Sequence, residues 1–347
     1  MDRIPLVITS YLEPELVDRL RAVDDRLDVR FEPELLPPPV YPSDHRGDPL
    51  WSPTPEEEQR FADLVAEAGI MYGFPREDPA QLAWAVRHAP RLRYVQCTFA
   101  GAGQQVRAAG LTEDELARVL FASSVGVHAT PLAEWSLFGL LALRKGLPRL
   151  RSDARERRWD HYPVAELRGE TLLVVGVGEI GAEVARLASA FGMRVVGIKR
   201  SPEPVPFVDE VHPPDRLDEL AATADAVVLT LPLTDETAGL VSRRTIDALK
   251  PNAILVNVGR GPVVDEEALV DALRARRILG AALDVFATEP LPADSPLWEL
   301  DNVIVSPHTA ALSVHENARI VELFCENLRR FLAGDELLSR IRTDLFY

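Results

Sequence analysis

Residues 172–181 read LLVVGVGEIG, an apolar run that ends in Gly176, Gly178 and Gly181 with the spacing G-x-G-x-x-G. A helical pattern follows at once, with Val184, Leu187, Ala188 and Phe191 at i, i+3, i+4 and i+7, and then a second apolar run, RVVGI at 194–198. Strand, glycine turn, helix and strand in that order is the context in which this motif carries chemistry. Glycines let the backbone approach a pyrophosphate closely, and the helix beyond them offers unpaired N–H donors and a partial positive charge. Gly176, Gly178, Glu179, Ile180 and Gly181 are therefore the expected cradle for the pyrophosphate of a dinucleotide. The plainer reading, glycines that serve only a tight turn, makes no demand on the flanking elements.

The end of the second strand separates the two nicotinamide dinucleotides. An acidic residue there would hold the ribose hydroxyls of NAD and repel a 2′-phosphate. This chain has Lys199, Arg200 and Ser201, which would attract and hydrogen-bond that phosphate. NADP(H) is the expected cofactor and NAD(H) the alternative; each residue taken alone reads equally as part of a solvated basic turn.

Outward from this motif the same grammar repeats. DAVVLTLPL at 225–233, AILVNVG at 253–259, ILGAALDVF at 278–286 and VIVSPH at 303–308 are nearly continuous apolar runs, as expected for a parallel sheet covered on both faces. Shorter runs precede it: LVITS at 6–10, VRF at 29–31, GIMYGF at 69–74 and LRYVQC at 92–97. They alternate with helical patterns and predict a second parallel sheet. A chain of 347 residues exceeds what one core organises, so two domains are expected. Between the early strands, the proline-rich stretch 33–55 reads as a long loop, either a surface insertion or a lid or partner-contacting loop. PLAEWSLFGLLALRKGLPRL, from Pro131, is apolar nearly all round and predicts one buried helix. A last helix is expected from about His315 to Leu332, ending near Gly334 and returning to the first domain.

Composition narrows the function classes. A formal charge of −16 argues against a nucleic-acid partner, whose phosphates need clustered Lys and Arg. No apolar run is long enough to span a bilayer, so a cytoplasmic enzyme without membrane contact is expected. Cys97 and Cys325 lie too far apart for a redox pair or a zinc site, and no metal centre is expected.

Three of the late runs end in polar residues, in NVGRGPVVDEEAL, LDVFATEPLP and VIVSPHTAA. With the glycine motif, their order and spacing resemble the D-isomer-specific 2-hydroxyacid dehydrogenases, strongly from about Leu132 to Ala311. The resemblance implies two doubly wound α/β domains. One is a Rossmann-type dinucleotide-binding domain over 126–311; the other is a smaller flavodoxin-like substrate domain over 1–125 and 312–347. It implies an oxidoreductase that moves a hydride between NAD(P)H and a small 2-oxo or 2-hydroxy acid, of the glyoxylate/hydroxypyruvate reductase type, and a homodimer. Phosphoglycerate or formate dehydrogenases are alternatives within the family, and an NAD(H)-sensing corepressor-like binding protein is the alternative outside catalysis.

Carried onto this chain, the substrate-binding arginine falls on Arg260, the histidine-orienting carboxylate on Glu289 and the general acid/base on His308. A guanidinium grips a carboxylate and polarises the neighbouring carbonyl, while an imidazole can deliver a proton near neutral pH. Leu231, Pro232 and Thr237 match the wall beside the adenosine half, Val258 and Gly259 complete that cleft, and Asp284 matches the residue near the nicotinamide carboxamide. Ala100, Gly101 and Ala102 match the loop whose amides bind the substrate carboxylate, although Gly103 and Gln104 stand where the family usually carries Val-Asp. Glu134 and Trp135 match a Glu-aromatic pair that packs near the dimer axis.

Overall fold

Short apolar runs that alternate with helices are stably packed as a parallel sheet with helices on its faces. The computed structural model, which describes residues 3–344 and 346, contains two such sheets. The chain divides into two units, one running to His128 and resuming at Leu312, the other spanning Ala129–Ala311.

In the first unit the strands are β1 (Ile4–Ile8), β2 (Leu27–Arg30), β3 (Ile70–Tyr72), β4 (Tyr94–Gln96) and β5 (Leu120–Ala122). Their order, β2-β1-β3-β4-β5, is that of flavodoxin-like sheets. All pairs are parallel, with Leu6 opposite Ile70 and Met71 opposite Val95. The covering helices are α1 (Pro14–Arg21), α2 (Pro55–Ala66), α3 (Pro79–His88), α4 (Ala102–Ala108) and α5 (Glu113–Arg118). Local chemistry starts them where they start. Thr54 accepts from Glu57 N–H while Glu57 accepts from Thr54 N–H, a reciprocal cap ahead of Pro55, and Thr112 with Glu115 repeats the device.

The proline-rich stretch is tied down rather than loose. Ser43 and Asp44 are buried, and the Asp44 carboxylate accepts from the backbone N–H groups of Val40, Arg46 and Gly47. The guanidinium of Arg76 stacks over Trp51. His45 reaches inward, its Nδ1 3.1 Å from Ser10 Oγ and its Nε2 3.5 Å from Glu316 Oε1, and His128 Nε2 meets the same oxygen at 2.9 Å. Burial alone would raise the Glu316 carboxyl, but the two imidazoles outweigh it and hold the group at about 2.

The second unit opens with α6 (Ala129–Arg144) and α7 (Leu147–Glu156). The single helix expected from Pro131 is thus two, because Gly146 takes a left-handed backbone (φ 72°) and Pro148 starts the next helix. Its strands are β6 (Thr171–Val175), β7 (Arg194–Ile198), β8 (Glu210–His212), β9 (Ala226–Leu229), β10 (Ile254–Asn257), β11 (Gly280–Leu283) and β12 (Val303–Val305). They are interleaved with α8 (Glu179–Ala190), α9 (Leu217–Ala221), α10 (Arg243–Ala248) and α11 (Glu266–Arg274). The order is β12-β11-β10-β9-β6-β7-β8, so the chain winds outward from β6 to one side and then returns to wind outward from β9. The carboxyl ends of β6 and β9 bound the switch point, where ligands of such sheets bind. The helical periodicity after the glycines ends one residue early: Val184 and Ala188 are buried, but Phe191 is the C-cap and stands 43% exposed. A final helix, α12 (Glu316–Ala333), belongs to the first unit and ends at left-handed Gly334.

Candidate active site

The glycine turn leaves β6 at the switch point. Gly176 adopts φ 104°, open to glycine at little cost, and its N–H donates to Ile198 O at 3.0 Å. Its carbonyl accepts from Gly178 N–H and from the Thr230 hydroxyl, which locks the turn to the end of β9. A side chain on Gly181 would put Cβ 2.3 Å from Gly176 O, so α8 can begin this close only with glycine there. On Gly178 the same added atom would meet nothing within 4 Å. Gly178 is the N-cap of α8 and brings no capping side chain, so the first-turn donors beside Glu179, Ile180 and Gly181 face an open approach. That combination of uncapped helix and open glycine face fits a pyrophosphate.

Lys199 follows β7, half-buried, with its N–H on His212 O, and Arg200 and Ser201 are exposed. Arg200 Nη1 lies 3.6 Å from Glu236 Oε2, with the two side chains 78% and 72% exposed, an ion pair of small energy. Leu231 packs beside Gly176. Thr237 donates its hydroxyl to Pro232 O at 2.7 Å, so it folds the loop after β9 and does not offer that proton outward. Val258 and Gly259 are buried at the end of β10.

Catalytic candidates emerge from the next three strands. Buried Asn257 ends β10; its amide donates to Arg260 O at 3.2 Å and its oxygen accepts from Gly259 N–H at 3.0 Å, which shapes the turn that presents Arg260. Arg260 is exposed, with Nη1 donating to Gly259 O at 2.7 Å. The following Gly261 lies against the chain after β11, where an added Cβ would sit 1.9 Å from the Phe286 carbonyl carbon. Three residues on, Glu289 Oε1 accepts from Phe286 N–H at 3.0 Å, and Glu266 from α11 accepts from Ala287 N–H at 2.9 Å. Glu289 Oε2 accepts from His308 Nδ1 at 2.7 Å. The side chains of His308 and Glu289 are 45% and 35% exposed, and Nε2 makes no hydrogen bond among the described residues. His308 follows β12 with φ 55° and donates its N–H to Asp284 O.

Asn257 and Glu266, and Asp284 with Ser306 and Thr309, whose hydroxyl and N–H it accepts at 2.6 and 2.9 Å, hold the backbone beneath these candidates. The resemblance gives Asp284 only a cofactor contact, and the other four stand in the quoted segments with no role assigned to them. A polar residue that terminates an otherwise buried strand, as Asn257 does, is the signal that could have found them.

In the first unit, Ala100 and Gly101 are exposed after β4, Ala102 begins α4 buried, and Gly101 O accepts from Gln104 N–H. Phe99 packs edge-on against Phe74 at 5.4 Å. On α6, Glu134 is exposed and Trp135 half-buried. Among the described residues no helix is long and apolar enough to cross a membrane, and no cluster of His, Cys, Asp or Glu could hold a metal ion.

Known proteins share this architecture and these segments. Residues 137–310 match the family model described as D-isomer specific 2-hydroxyacid dehydrogenase, NAD binding domain. A D-isomer specific 2-hydroxyacid dehydrogenase family protein from Aeromonas salmonicida superposes with a TM-score of 0.78 at 30% identity, over 99% of this chain and 100% of that one. A D-isomer specific 2-hydroxyacid dehydrogenase from Xanthobacter autotrophicus, solved in complex with NADPH and MES, gives 0.75 at 29% identity, with the same coverage. A glyoxylate reductase from Korarchaeum cryptofilum is 37% identical over 60% of this chain and 65% of its own length. By the family model and by fold, the chain belongs to the D-isomer specific 2-hydroxyacid dehydrogenase family.

Proposed function

We propose that the protein is an NADPH-dependent reductase of small 2-oxo acids, forming the corresponding D-2-hydroxy acids. The observation that carries this reading is the His308–Glu289 pair at the carboxyl end of the nucleotide-type sheet, whose 2.7 Å contact uses Nδ1 and leaves Nε2 without a hydrogen bond among the described residues. A dinucleotide held by its pyrophosphate at the glycine turn would supply, from its nicotinamide, the hydride that reaches the carbonyl carbon. His308 delivers the Nε2 proton to the carbonyl oxygen and takes a proton back from solvent after product leaves. Glu289, itself oriented by Phe286 N–H, fixes the ring and holds its Nδ1 side. Arg260 pairs with the substrate carboxylate and stabilises the charge that develops on the neighbouring oxygen.

NADPH preference rests on Lys199, Arg200 and Ser201, and the NADPH complex of the Xanthobacter relative supports it. The Korarchaeum relative supports glyoxylate as a member of the substrate class. The test is loss of reduced-nicotinamide absorbance with glyoxylate, hydroxypyruvate and longer 2-oxo acids, each with NADPH and NADH. Turnover of at least one 2-oxo acid is expected; tight cofactor binding without turnover of any would favour the binding-protein alternative.

A further inference from the structure

Asp284 stands just past β11 with 1% of its surface exposed. A carboxylate buried this deeply needs hydrogen bonds, and those it receives come from one short segment. Its Oδ1 accepts the Ser306 hydroxyl at 2.6 Å, Thr309 N–H at 2.9 Å and Ala310 N–H at 3.0 Å. Its own carbonyl accepts His308 N–H at 2.9 Å, and Ser306 Oγ lies 3.0 Å from Thr309 Oγ1. Pro307 has no N–H, so every residue of 306–310 that can donate is tied to the one aspartate or to its carbonyl. His308 lies at the centre of this bracket with φ 55°, a left-handed backbone that a residue with a side chain adopts only when its surroundings impose it. Relaxed into an ordinary region, the Cα–Cβ bond would point elsewhere and the ring would leave Glu289.

We propose that Asp284 is a positioning residue: its buried carboxylate imposes the left-handed backbone at His308 and so places the imidazole on Glu289. This rests on the reading of His308 as proton donor, and it differs from a cofactor contact, the role that the family resemblance implies for Asp284. Three donors on a single oxygen are best satisfied by a full negative charge, which a neutral amide cannot match.

The experiment compares wild type with Asp284→Asn and Ser306→Ala; the latter removes one donor and leaves the charge, so it carries the test if the first variant fails to fold. Three readouts are taken. Nitrogen NMR of histidine-labelled protein, with the His308 signals assigned by their loss in His308→Gln, reports the Nδ1–H tautomer bound to Glu289. Hydrogen exchange reports the Thr309 and Ala310 amides. Steady-state kinetics at saturating NADPH, with a fluorescence titration for NADPH affinity, separates kcat from cofactor binding. In Asp284→Asn we expect the Nδ1–H signature to give way to an ordinary tautomer mixture, both amides to exchange faster, and kcat to fall about tenfold or more with NADPH affinity within about twofold, as for a catalytic group moved by part of an ångström. Ser306→Ala should follow the same pattern more weakly. A fall in NADPH affinity with the His308 signature and kcat unchanged would overturn the proposal in favour of a cofactor contact. The NMR and exchange readouts need no turnover, so if no 2-oxo acid proves to be a substrate they still decide this inference while the reductase reading fails.

Discussion

Replacing Gly261 by alanine tests whether the segments bearing Arg260 and Glu289 depend on their close approach. The added Cβ would sit 1.9 Å from both the carbonyl carbon and the oxygen of Phe286, and 2.5 Å from Ala287 N, where ordinary contact begins at 3.4 Å. Backbone cannot swing aside as a flexible side chain can, so one segment must retreat by about 1.5 Å, and overpacking of this kind costs about 1–3 kcal/mol. Phe286 N–H is the donor that orients Glu289 Oε1, so the retreat is passed to the carboxylate and from there to His308. A misplacement of about 1 Å at a catalytic group lowers rate about a hundredfold, and kcat/KM of Gly261→Ala should fall by that factor. Tm should drop by roughly 2–12 °C, from about 2–4 °C per kcal/mol for a unit of this size. NADPH affinity should hold, because the turn at Gly176–Gly181 lies at a different strand end. The assay pairs kcat/KM on the best 2-oxo acid with a cofactor titration and a thermal melt, using Pro262→Ala, at an exposed site, as control. A folded Gly261→Ala with wild-type kcat/KM would show that the placement of Glu289 does not depend on this close approach.

Lys199→Asp combined with Arg200→Ala should convert an NADPH preference into an NADH preference, mainly through KM, by repelling the 2′-phosphate and restoring a ribose acceptor. Because Arg200 is 78% exposed and already shared with Glu236, the wild-type preference should be about tenfold and should shrink in salt; better efficiency with NADH in the wild type would reduce these residues to a solvated turn. Glu316, depressed from 4.5 to about 2, stabilises the folded state fully above pH 4.5 and loses that contribution as pH falls toward 2, about 3 kcal/mol in all at about 1.4 kcal/mol per pH unit. Urea unfolding at stepped pH should therefore show the gap between wild type and Glu316→Gln closing across that window, and a gap independent of pH would count against the buried pairing with His45 and His128.

The nucleotide half was legible because its signals are local. The apolar runs at 172–175 and 254–256 are continuous, and the glycine spacing falls at the end of one of them. By contrast, β8 was missed: Glu-Val-His on a sheet edge is half exposed and shows no apolar run. The break between α6 and α7 was present in the letters as Gly146-Leu147-Pro148, a left-handed stop followed by a helix start, but the surrounding apolar residues masked it. What lay out of reach were hydrogen bonds between positions distant in the chain. Asp284 meets residues 22–26 positions away and His128 meets Glu316 across 188, and no periodicity encodes such pairs. The partners of His308 follow from strand order, which brings the ends of β11 and β12 side by side, whereas those of Arg260 are its chain neighbours Asn257 and Gly259.

The central claim is that this chain turns over 2-oxo acids with His308 as proton donor. Its most direct test is the single-turnover rate of NADPH oxidation, with saturating 2-oxo acid, in wild type and His308→Gln, each with NADPH affinity measured on the same preparation. The rate should be about 10²–10⁴ lower in the variant, the usual contribution of a positioned acid, with NADPH affinity unchanged. An unchanged rate in a folded, cofactor-binding His308→Gln would contradict it.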